Sequence, residues 1–536
     1  MVLYQLSYGG PSRSSILRFA TYGFRFIASV AANSWHPPGM GSEGTFATRR
    51  PERHRIPDRG CRRFDAPPSL DGGPRHRHVL KSDAETGGMS FESVVREIRD
   101  RVVPDASEVE SLESAVEALT ERAEAAISDL PVAAETQLVG STARGTWLAG
   151  DRDIDLFVQF PPSLGRDELE RYGLAVGHAA LPEGHEEFAE HPYVKGQYGG
   201  FDVDCVPCYA VEDAGEIRSA VDRTPFHTAY LADRIAPVAD DVRVAKAFLS
   251  GIGAYGSDLR TKGFSGFLTE LLVLEYGGFG AFVGAVADWS PPIRLDPEGH
   301  GDRSFDDPLV VVDPTDPGRN VAAVCSPRNV ARAIHHARAF EADPSTEPFE
   351  PQEPDPLSAA EVRAAIDERG TAPVAVRFPT PDVVEDQLYP QLEKSLGGLE
   401  GALDRAGFSP MRSARFADAE ESALLVECAV GRLPAVVRHG GPPVGVREHA
   451  EGFYESYRDD EVVGPYVDSE GRYVVERARE SRTPAELVEA RLFDVSLGPH
   501  VESALEADHE VLEGEAVATL SGRFGSELAA YFDPKP

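Results

Sequence analysis

Cysteines, lysines and long apolar runs are scarce in this chain of 536 residues. The five cysteines are too few for a disulfide-stapled secreted scaffold, so a reducing, cytoplasmic setting is expected. No uninterrupted apolar run reaches the roughly 18 residues that a membrane helix needs, so no membrane partner is predicted. Hydrophobic residues still make up 41% of the chain, which excludes global disorder. The length predicts about three or four domains.

The shortage of lysine accompanies a large excess of acid. Lysine and arginine together number 53 against 89 aspartates and glutamates, which gives a net charge of −36, and only six of the 53 are lysines. This composition is typical of proteins from salt-loving archaea, because concentrated salt screens self-repulsion. A GC-rich genome would also favour arginine but does not explain the acid. Net acidity argues only weakly against nucleic-acid binding, since salt weakens phosphate contacts for every protein.

Composition also divides the chain along its length. Residues 1–88 carry 13 basic and 7 acidic residues. They are predicted to be a disordered or non-native extension, with translation starting at Met89; a targeting peptide is the alternative. Prolines at 344, 348, 351, 354 and 356 mark a linker. The linker divides the remaining chain before residue 344, which gives a C-terminal segment 344–536, and the part before it is taken as two segments, 89–225 and 226–343.

Apolar periodicity outlines the elements of these segments. A capping box at 107–110, followed by apolar residues every three or four positions, predicts a helix to Ile127. Strands are predicted at 137–139, 154–160 and 201–209, and helices through 225–285. After the linker, a helix opened by Ser358 is followed by a strand at 374–378, a helix near 383–406 and strands near 411–439. That order indicates an α+β fold of ferredoxin-like type.

One short segment carries the chemistry. A strand ends in Gly140-Ser141, where a helix is predicted to begin, and helix N-termini offer N–H groups that suit phosphate. Twelve residues after Ser141 come Asp153 and Asp155, which share one face of a strand. Two such carboxylates can hold a hard cation such as Mg²⁺.

A third carboxylate is expected from the strand at 201–209. Asp204 is the preferred candidate and Asp202 the reserve, both on one face. Two metals held by three carboxylates can clamp the attacking and leaving oxygens of a displacement at phosphorus. A single Asp-x-Asp in so acidic a chain is usually a solvated strand. The conjunction of turn, helix start, paired acids and later strand acid favours a nucleotidyltransferase instead.

Two other motifs are interpreted as unrelated to catalysis. Cys205 and Cys208 have CxxC spacing but continue a strand, with no second pair to complete a zinc site, so both are predicted to be structural. No Gly-x-x-x-x-Gly-Lys-Ser/Thr loop is present, which excludes a P-loop ATPase.

The chain resembles the archaeal-type (class I) CCA-adding tRNA nucleotidyltransferases, of haloarchaeal character, over about residues 89–536. The resemblance rests on segments 140–157, 202–209, 223–227, 243–249, 253–256, 262–267, 313–322 and 464–466. It implies a multidomain α+β fold: a mixed nucleotidyltransferase sheet with helices at 89–225, a central helical domain for nucleotide and base recognition at 226–343, and a C-terminal, partly ferredoxin-like tRNA-binding region at 344–536.

The resemblance also implies roles for particular residues. Mg²⁺ would be held by Asp153, Asp155 and Asp204. The incoming CTP or ATP would be contacted by Ser141, Arg144, His227, Lys246, Tyr255 and Arg319, the last reading the base edge. Alternatives stay open for four of them: Lys246 as a snorkelling surface lysine, His227 as a structural histidine, Tyr255 as core and Arg144 as a surface ion pair.

The implied activity is untemplated addition and repair of the CCA end of tRNA. The terminal 3′-hydroxyl would attack the α-phosphorus of CTP, CTP and then ATP, releasing diphosphate, with Asp204 or metal activation removing the proton. Interleaved arginines and tyrosines of the C-terminal half would grip the tRNA. The rivals are a poly(A) or oligoadenylate polymerase and a non-catalytic RNA-binding protein on the same fold. The sequence is compatible with a homodimer of this chain.

Overall fold

The computed structural model describes residues 89–188 and 191–536, so the extension predicted at 1–88 lies outside the described residues. Two helices open this part, α1 (Phe91–Val102) and α2 (Ala106–Ser128). The cap of α2 is Asp105, whose side chain accepts hydrogen bonds from the backbone N–H groups of Ser107 and Glu108. The predicted capping box at 107–110 was therefore wrong, because an earlier acidic side chain supplies the acceptor.

A five-stranded mixed sheet follows, with the strand order β1-β2-β5-β4-β3. Strands β2 and β5 are parallel, and the other neighbours are antiparallel. Alternate apolar residues of β2 pack with α2 and α4 in one core. The strands predicted at 154–160 and 201–209 are confirmed to within one residue. The elements are β1 (Glu135–Val139), α3 (Gly140–Arg144), β2 (Asp153–Phe160), α4 (Arg166–Ala180), β3 (His185–Phe188), β4 (Pro192–Tyr198) and β5 (Phe201–Tyr209).

The next segment is mainly helical, as predicted, but it also contains a small three-stranded sheet of order β6-β7-β8. Among the described residues, no single helix is long and apolar enough to cross a membrane; α7 and α8 pass that test only jointly and are bent by 95°. The elements are α5 (Thr224–Leu231), α6 (Ala239–Gly251), α7 (Gly266–Tyr276), α8 (Phe279–Ala287), β6 (Ile293–Leu295), β7 (Leu309–Asp313), β8 (Asp316–Asn320) and α9 (Pro327–Ala342).

The C-terminal part confirms the ferredoxin-like prediction. Its main sheet has the antiparallel order β10-β11-β9-β15, and helices follow the first and third of these strands in chain order. A second sheet, β12-β14-β13, is inserted after β11. The elements are α10 (Ala359–Arg369), β9 (Ala372–Pro379), α11 (Glu385–Ala406), β10 (Pro410–Ala417), β11 (Glu421–Cys428), β12 (Val436–Pro443), α12 (Arg447–Tyr457), β13 (Val463–Val467), β14 (Arg472–Ala478), α13 (Pro484–Arg491), α14 (Pro499–Ala507), β15 (Glu510–Glu513) and α15 (Ser521–Phe532).

Candidate active site

Four aspartates stand side by side where β2 and β5 begin. The parallel register places Asp153 opposite Asp202 and Asp155 opposite Asp204. Residues two apart on a strand share a face, and directly paired residues of neighbouring strands point the same way. All four carboxylates therefore belong to one face of the sheet, while the apolar residues between them are buried on the other face.

The surroundings of Asp204 and Asp202 differ. The Asp202 carboxylate accepts a hydrogen bond of 2.9 Å from the side-chain amide of Gln197. Atom Oδ1 of Asp204 is buried and has no hydrogen bond, with the Lys195 ammonium 3.5 Å away. A buried acceptor without a hydrogen bond is costly, and a bound cation would remove that cost. The structure thus fits a divalent metal ion at Asp204 better than at Asp202.

Burial and, to a smaller extent, crowding raise the pKa values of these acids. Burial raises the pKa of Asp153 to about 6 and that of Asp155 to about 7, and neighbouring carboxylates add to both shifts. Burial also raises the pKa of Asp204. In the described part of the chain, no three His, Cys, Asp or Glu side chains are grouped closely enough to hold a metal ion as they stand. Asp153, Asp155 and Asp204 therefore share a face without closing on one point.

Gly140 forms the turn between β1 and α3 and lies next to the Asp155 carboxylate. Its φ of +75° is in the left-handed region that glycine adopts without strain. A Cβ added there would lie 2.1 Å from Oδ2 of Asp155, so a larger residue would displace that carboxylate. Ser141 follows on α3, which is a helix of only five residues. The Thr142 hydroxyl donates to the backbone oxygen of Asp153 at 2.7 Å, which fastens α3 to β2.

Arg144 and Lys246 meet at a buried carboxylate, that of Glu270. Arg144 donates from Nε to Oε2 at 2.7 Å, and the Lys246 ammonium lies 3.2 Å from Oε1. Their side chains are only 1% and 3% exposed. The alternatives of a snorkelling lysine and a surface ion pair are therefore wrong. Direct contact of either cation with nucleotide stays a prediction.

His227 and Arg319 meet at a second buried carboxylate, that of Asp313. Nε2 of His227 lies 2.8 Å and Nη1 of Arg319 lies 2.6 Å from the same oxygen, Oδ2. Burial alone would raise the pKa of Asp313, but the hydrogen bond from His227 and the charge of Arg319 hold it well below its usual range. The His227 ring stacks on Phe267 with centroids 3.8 Å apart. These rings and Arg319 line one pocket together with Arg223.

Tyr255 is placed differently from the other predicted nucleotide-binding residues. It is partly buried and packs against the apolar core of the helical segment, and its backbone bridges to that of Phe264. Cys205 and Cys208, predicted to be structural, are free and buried on β5.

Glu270 and Asp313 were not predicted as site residues. Glu270 interrupts the apolar run 267–274, and Asp313 ends a strand whose other four residues are apolar. A lone carboxylate in such a run is too costly to bury without cationic partners. The position of each carboxylate alone in an apolar run was therefore the sequence feature that could have identified Glu270 and Asp313.

A glycine-serine turn beside paired acids on neighbouring strands defines a nucleotidyltransferase, a class that works with divalent metal ions. Three family models match the chain: "Nucleotidyltransferase domain" at 121–227, "tRNA nucleotidyltransferase, second domain" at 240–350 and "CCA-adding enzyme, C-terminal domain" at 369–514.

Curated relatives agree with these matches along nearly their whole length. The CCA-adding enzyme of Haloarcula marismortui is 58% identical over 463 residues, which is 83% of this chain and 99% of the relative. Those of Halorubrum lacusprofundi and Halobacterium salinarum are 56% and 57% identical, with the same shares covered. The chain belongs to the CCA-adding enzymes, which add CCA to tRNA without a template.

Proposed function

We propose that Asp153, Asp155 and Asp204 hold two Mg²⁺ ions while this enzyme extends the 3′ end of tRNA. The observation that carries the assignment is the β2–β5 register, which sets Asp155 beside Asp204 with Asp153 on the same face. Carboxylate oxygens are the ligands that Mg²⁺ prefers. When bound, the ions supply activation of the attacking hydroxyl and stabilisation of the leaving diphosphate.

The chain's own groups position the reacting atoms. In each round the terminal 3′-hydroxyl attacks the α-phosphorus of CTP or ATP, one phosphodiester bond forms, and the bond to diphosphate breaks. Gly140 lets the turn approach the carboxylate of Asp155 closely. Ser141, on the first turn of α3, would donate its hydroxyl to the triphosphate.

The triphosphate and base would be held by the two clusters built on buried carboxylates. Arg144 and Lys246 supply positive charge from the Glu270 cluster, and His227 supplies a ring nitrogen from the Asp313 cluster. Tyr255 is proposed to contact the triphosphate through its hydroxyl. Arg319 lines the pocket, and a well-placed contact to a base edge discriminates by roughly 1–3 kcal/mol.

Residues 344–536 are proposed to grip the tRNA, with catalysis in 89–225 and base recognition in 226–343. The three family-model ranges support this division. A groove between α11, β14 and α13 supports tRNA binding, since Arg405, Arg477 and Arg479 line it; a fourth lining arginine, Arg491, is ion-paired with Glu480. Between the inserted sheet and α12, His439 of β12 and Tyr473 of β14 stack on Phe453, which also contacts Tyr457 of α12; these rings are candidate surfaces for bases. Several arginines predicted there are ion-paired instead, such as Arg438 with Asp468.

The test is CCA addition to a tRNA that ends at the discriminator base, with CTP, ATP and Mg²⁺. Asp155→Ala and Asp204→Asn should each lower the rate by at least about 10³-fold while tRNA binding stays within about twofold. Asp202→Asn is the matched control, since it removes a neighbouring carboxylate of the same strand and should retain activity. Loss of activity in Asp202→Asn with retention in Asp204→Asn would reverse the assignment.

The metal is tested separately from the residues. Addition should return to EDTA-treated enzyme with Mg²⁺, and a titration against Mn²⁺ and Ca²⁺ would identify the ion that the site prefers. Supplying CTP and ATP singly distinguishes CCA addition from homopolymer synthesis: CTP alone should add two residues and ATP alone none.

A further inference from the structure

The Glu270 carboxylate lies inside the molecule and is surrounded by donors from three residues. It stands on the part of α7 from 266 to 273, where every residue is buried, and its side chain has no solvent exposure. Arg144 contributes Nε and Lys246 its ammonium, as described above. The Thr146 hydroxyl donates to the oxygen that Lys246 faces, and Lys246 also donates to the backbone oxygen of Thr146 at 3.0 Å.

These contacts join two parts of the chain that different family models match. Arg144 ends α3 and Thr146 follows it two residues later, both within the nucleotidyltransferase domain match. Lys246 on α6 and Glu270 on α7 lie within the second-domain match. One carboxylate therefore fixes the residues after the glycine-serine turn against two helices of the next segment.

The charges of this cluster differ from those of an ordinary buried ion pair. Two cations share the Glu270 carboxylate, whereas the buried Glu427 carboxylate of the C-terminal sheet receives one cation, Arg369, with hydroxyl groups of Thr371 and Tyr531. Arg144 also acts electrostatically on Asp155 and lowers its proton affinity. The Glu270 cluster therefore keeps positive charge beside the acidic face, where an anionic ligand would bind.

We propose that Glu270 is a positioning residue of the nucleotide site: it holds Arg144 and Lys246 at a fixed spacing beside the acidic face, where the triphosphate would bind. The proposal rests on the assignment of Arg144 and Lys246 as nucleotide-binding residues. A carboxylate is suited to this task, because its two oxygens accept from two cations at fixed directions. Glutamine at the same position keeps the shape but loses the charge that holds both cations.

The experiment compares Glu270→Gln and Glu270→Asp with the matched control Glu427→Gln. Glu270→Gln should raise KM for both CTP and ATP by about tenfold or more, with the tRNA Kd within about twofold. Glu270→Asp keeps the charge on a shorter side chain, so its KM values should lie between those of Glu270→Gln and the parent. Glu427→Gln should lower Tm with both KM values unchanged. A purely structural Glu270 would instead lower Tm and the active fraction with KM unchanged, and that result would overturn the proposal.

The variants Arg144→Met and Lys246→Met test the nucleotide-binding assignment separately from the positioning role of Glu270. If either raises KM while both Glu270 variants leave it unchanged, Glu270 does not position the cations although their assignment holds. If neither raises KM, the nucleotide assignment fails and the proposal fails with it. Should Glu270→Gln not fold, Glu270→Asp decides: a raised KM supports the proposal and an unchanged KM contradicts it.

Discussion

At the scale of single residues, the site is defined by negative charges crowded on one face. Burial raises the pKa of Asp155 to about 7, and Asp204 and Asp153 add to the shift. A carboxyl group with a raised pKa binds its proton more tightly in the folded protein than in the unfolded chain. Its contribution to stability therefore falls as the pH rises from about 4 to about 7.

Asp155→Asn should raise the Tm of the metal-free protein at about pH 8 by a few degrees. The amide removes one repelling negative charge from the face, although it should abolish CCA addition. The difference from the parent should shrink at about pH 5, where Asp155 is largely protonated in the parent. Thermal melts in EDTA at the two pH values measure both effects.

Added Mg²⁺ provides the control for this prediction. It should raise the Tm of the parent at the higher pH more than that of the variant, because the variant lacks a ligand. A variant that is less stable than the parent at the higher pH would show that the carboxylates do not repel one another as described.

The shared face of Asp153, Asp155 and Asp204 could be predicted because strand alternation is a local rule that two-residue spacing reveals; their catalytic role stays a prediction. Glu270 and Asp313 could not be predicted so directly. The partner of Glu270, Arg144, is 126 residues away in the chain, and no periodicity links the two. A single acidic residue in an apolar run indicates that cationic partners contact it, but the sequence does not identify those partners.

At the scale of elements, the turn from β1 to α3 decides how near the backbone at Ser141 comes to the acids. Gly140→Ala should lower the rate of addition by about 10²-fold or more, because its Cβ would displace the Asp155 carboxylate. Tm should fall only slightly, since a left-handed alanine costs about 1–2 kcal/mol. Single-turnover kinetics and thermal melts give the two readouts.

Gly150→Ala is the matched control for Gly140→Ala. Gly150 also has a left-handed backbone, with φ +85°, but a Cβ there would have nothing within 4 Å. Gly150→Ala should therefore lose about as much stability as Gly140→Ala but keep its activity. Equal losses of activity in both variants would mean that backbone strain, not displacement of Asp155, is responsible.

The hairpin of β7 and β8 presents Asp313 to His227 and Arg319. Asp313→Asn should raise KM for CTP and ATP and weaken discrimination against UTP and GTP by up to about tenfold, because both partners lose a charged acceptor. Asp307→Asn, on the segment before β7, is the control: its carboxylate accepts from Asn320 and contacts neither partner. Unchanged nucleotide selection in Asp313→Asn would remove Arg319 from base reading.

Elements were predictable where their sequences are long and periodic. The three-stranded sheet of the central segment was missed because its strands have three to five residues. The last of them, Asp316–Asn320, contains Pro317-Gly318, which favours a turn when considered alone. Pairing with the buried β7 overrides that local preference.

At the scale of the whole molecule, the order of elements carried the fold prediction. A strand, a helix and two strands after a proline-rich linker leave few antiparallel arrangements, and the observed sheet is the ferredoxin-like one. The inserted sheet was not predicted: the strands predicted near 411–439 reach only the start of β12, and β13 and β14 lie beyond them. The excess of acidic residues is also a property of the whole molecule, because no single ion pair accounts for the net charge.

Residues 89–536 carry 40 basic and 82 acidic residues, so repulsion among like charges opposes the folded state at low salt. The Debye length falls from about 10 Å at about 0.1 M to about 3 Å at about 1 M KCl. We therefore expect Tm to rise over that range, measured by thermal melts, while the affinity for tRNA falls because phosphate contacts are screened. A neutral osmolyte at equal osmolality is the control and should reproduce neither trend in full. A Tm that does not depend on KCl would mean that the ion pairs seen along the surface already balance the repulsion.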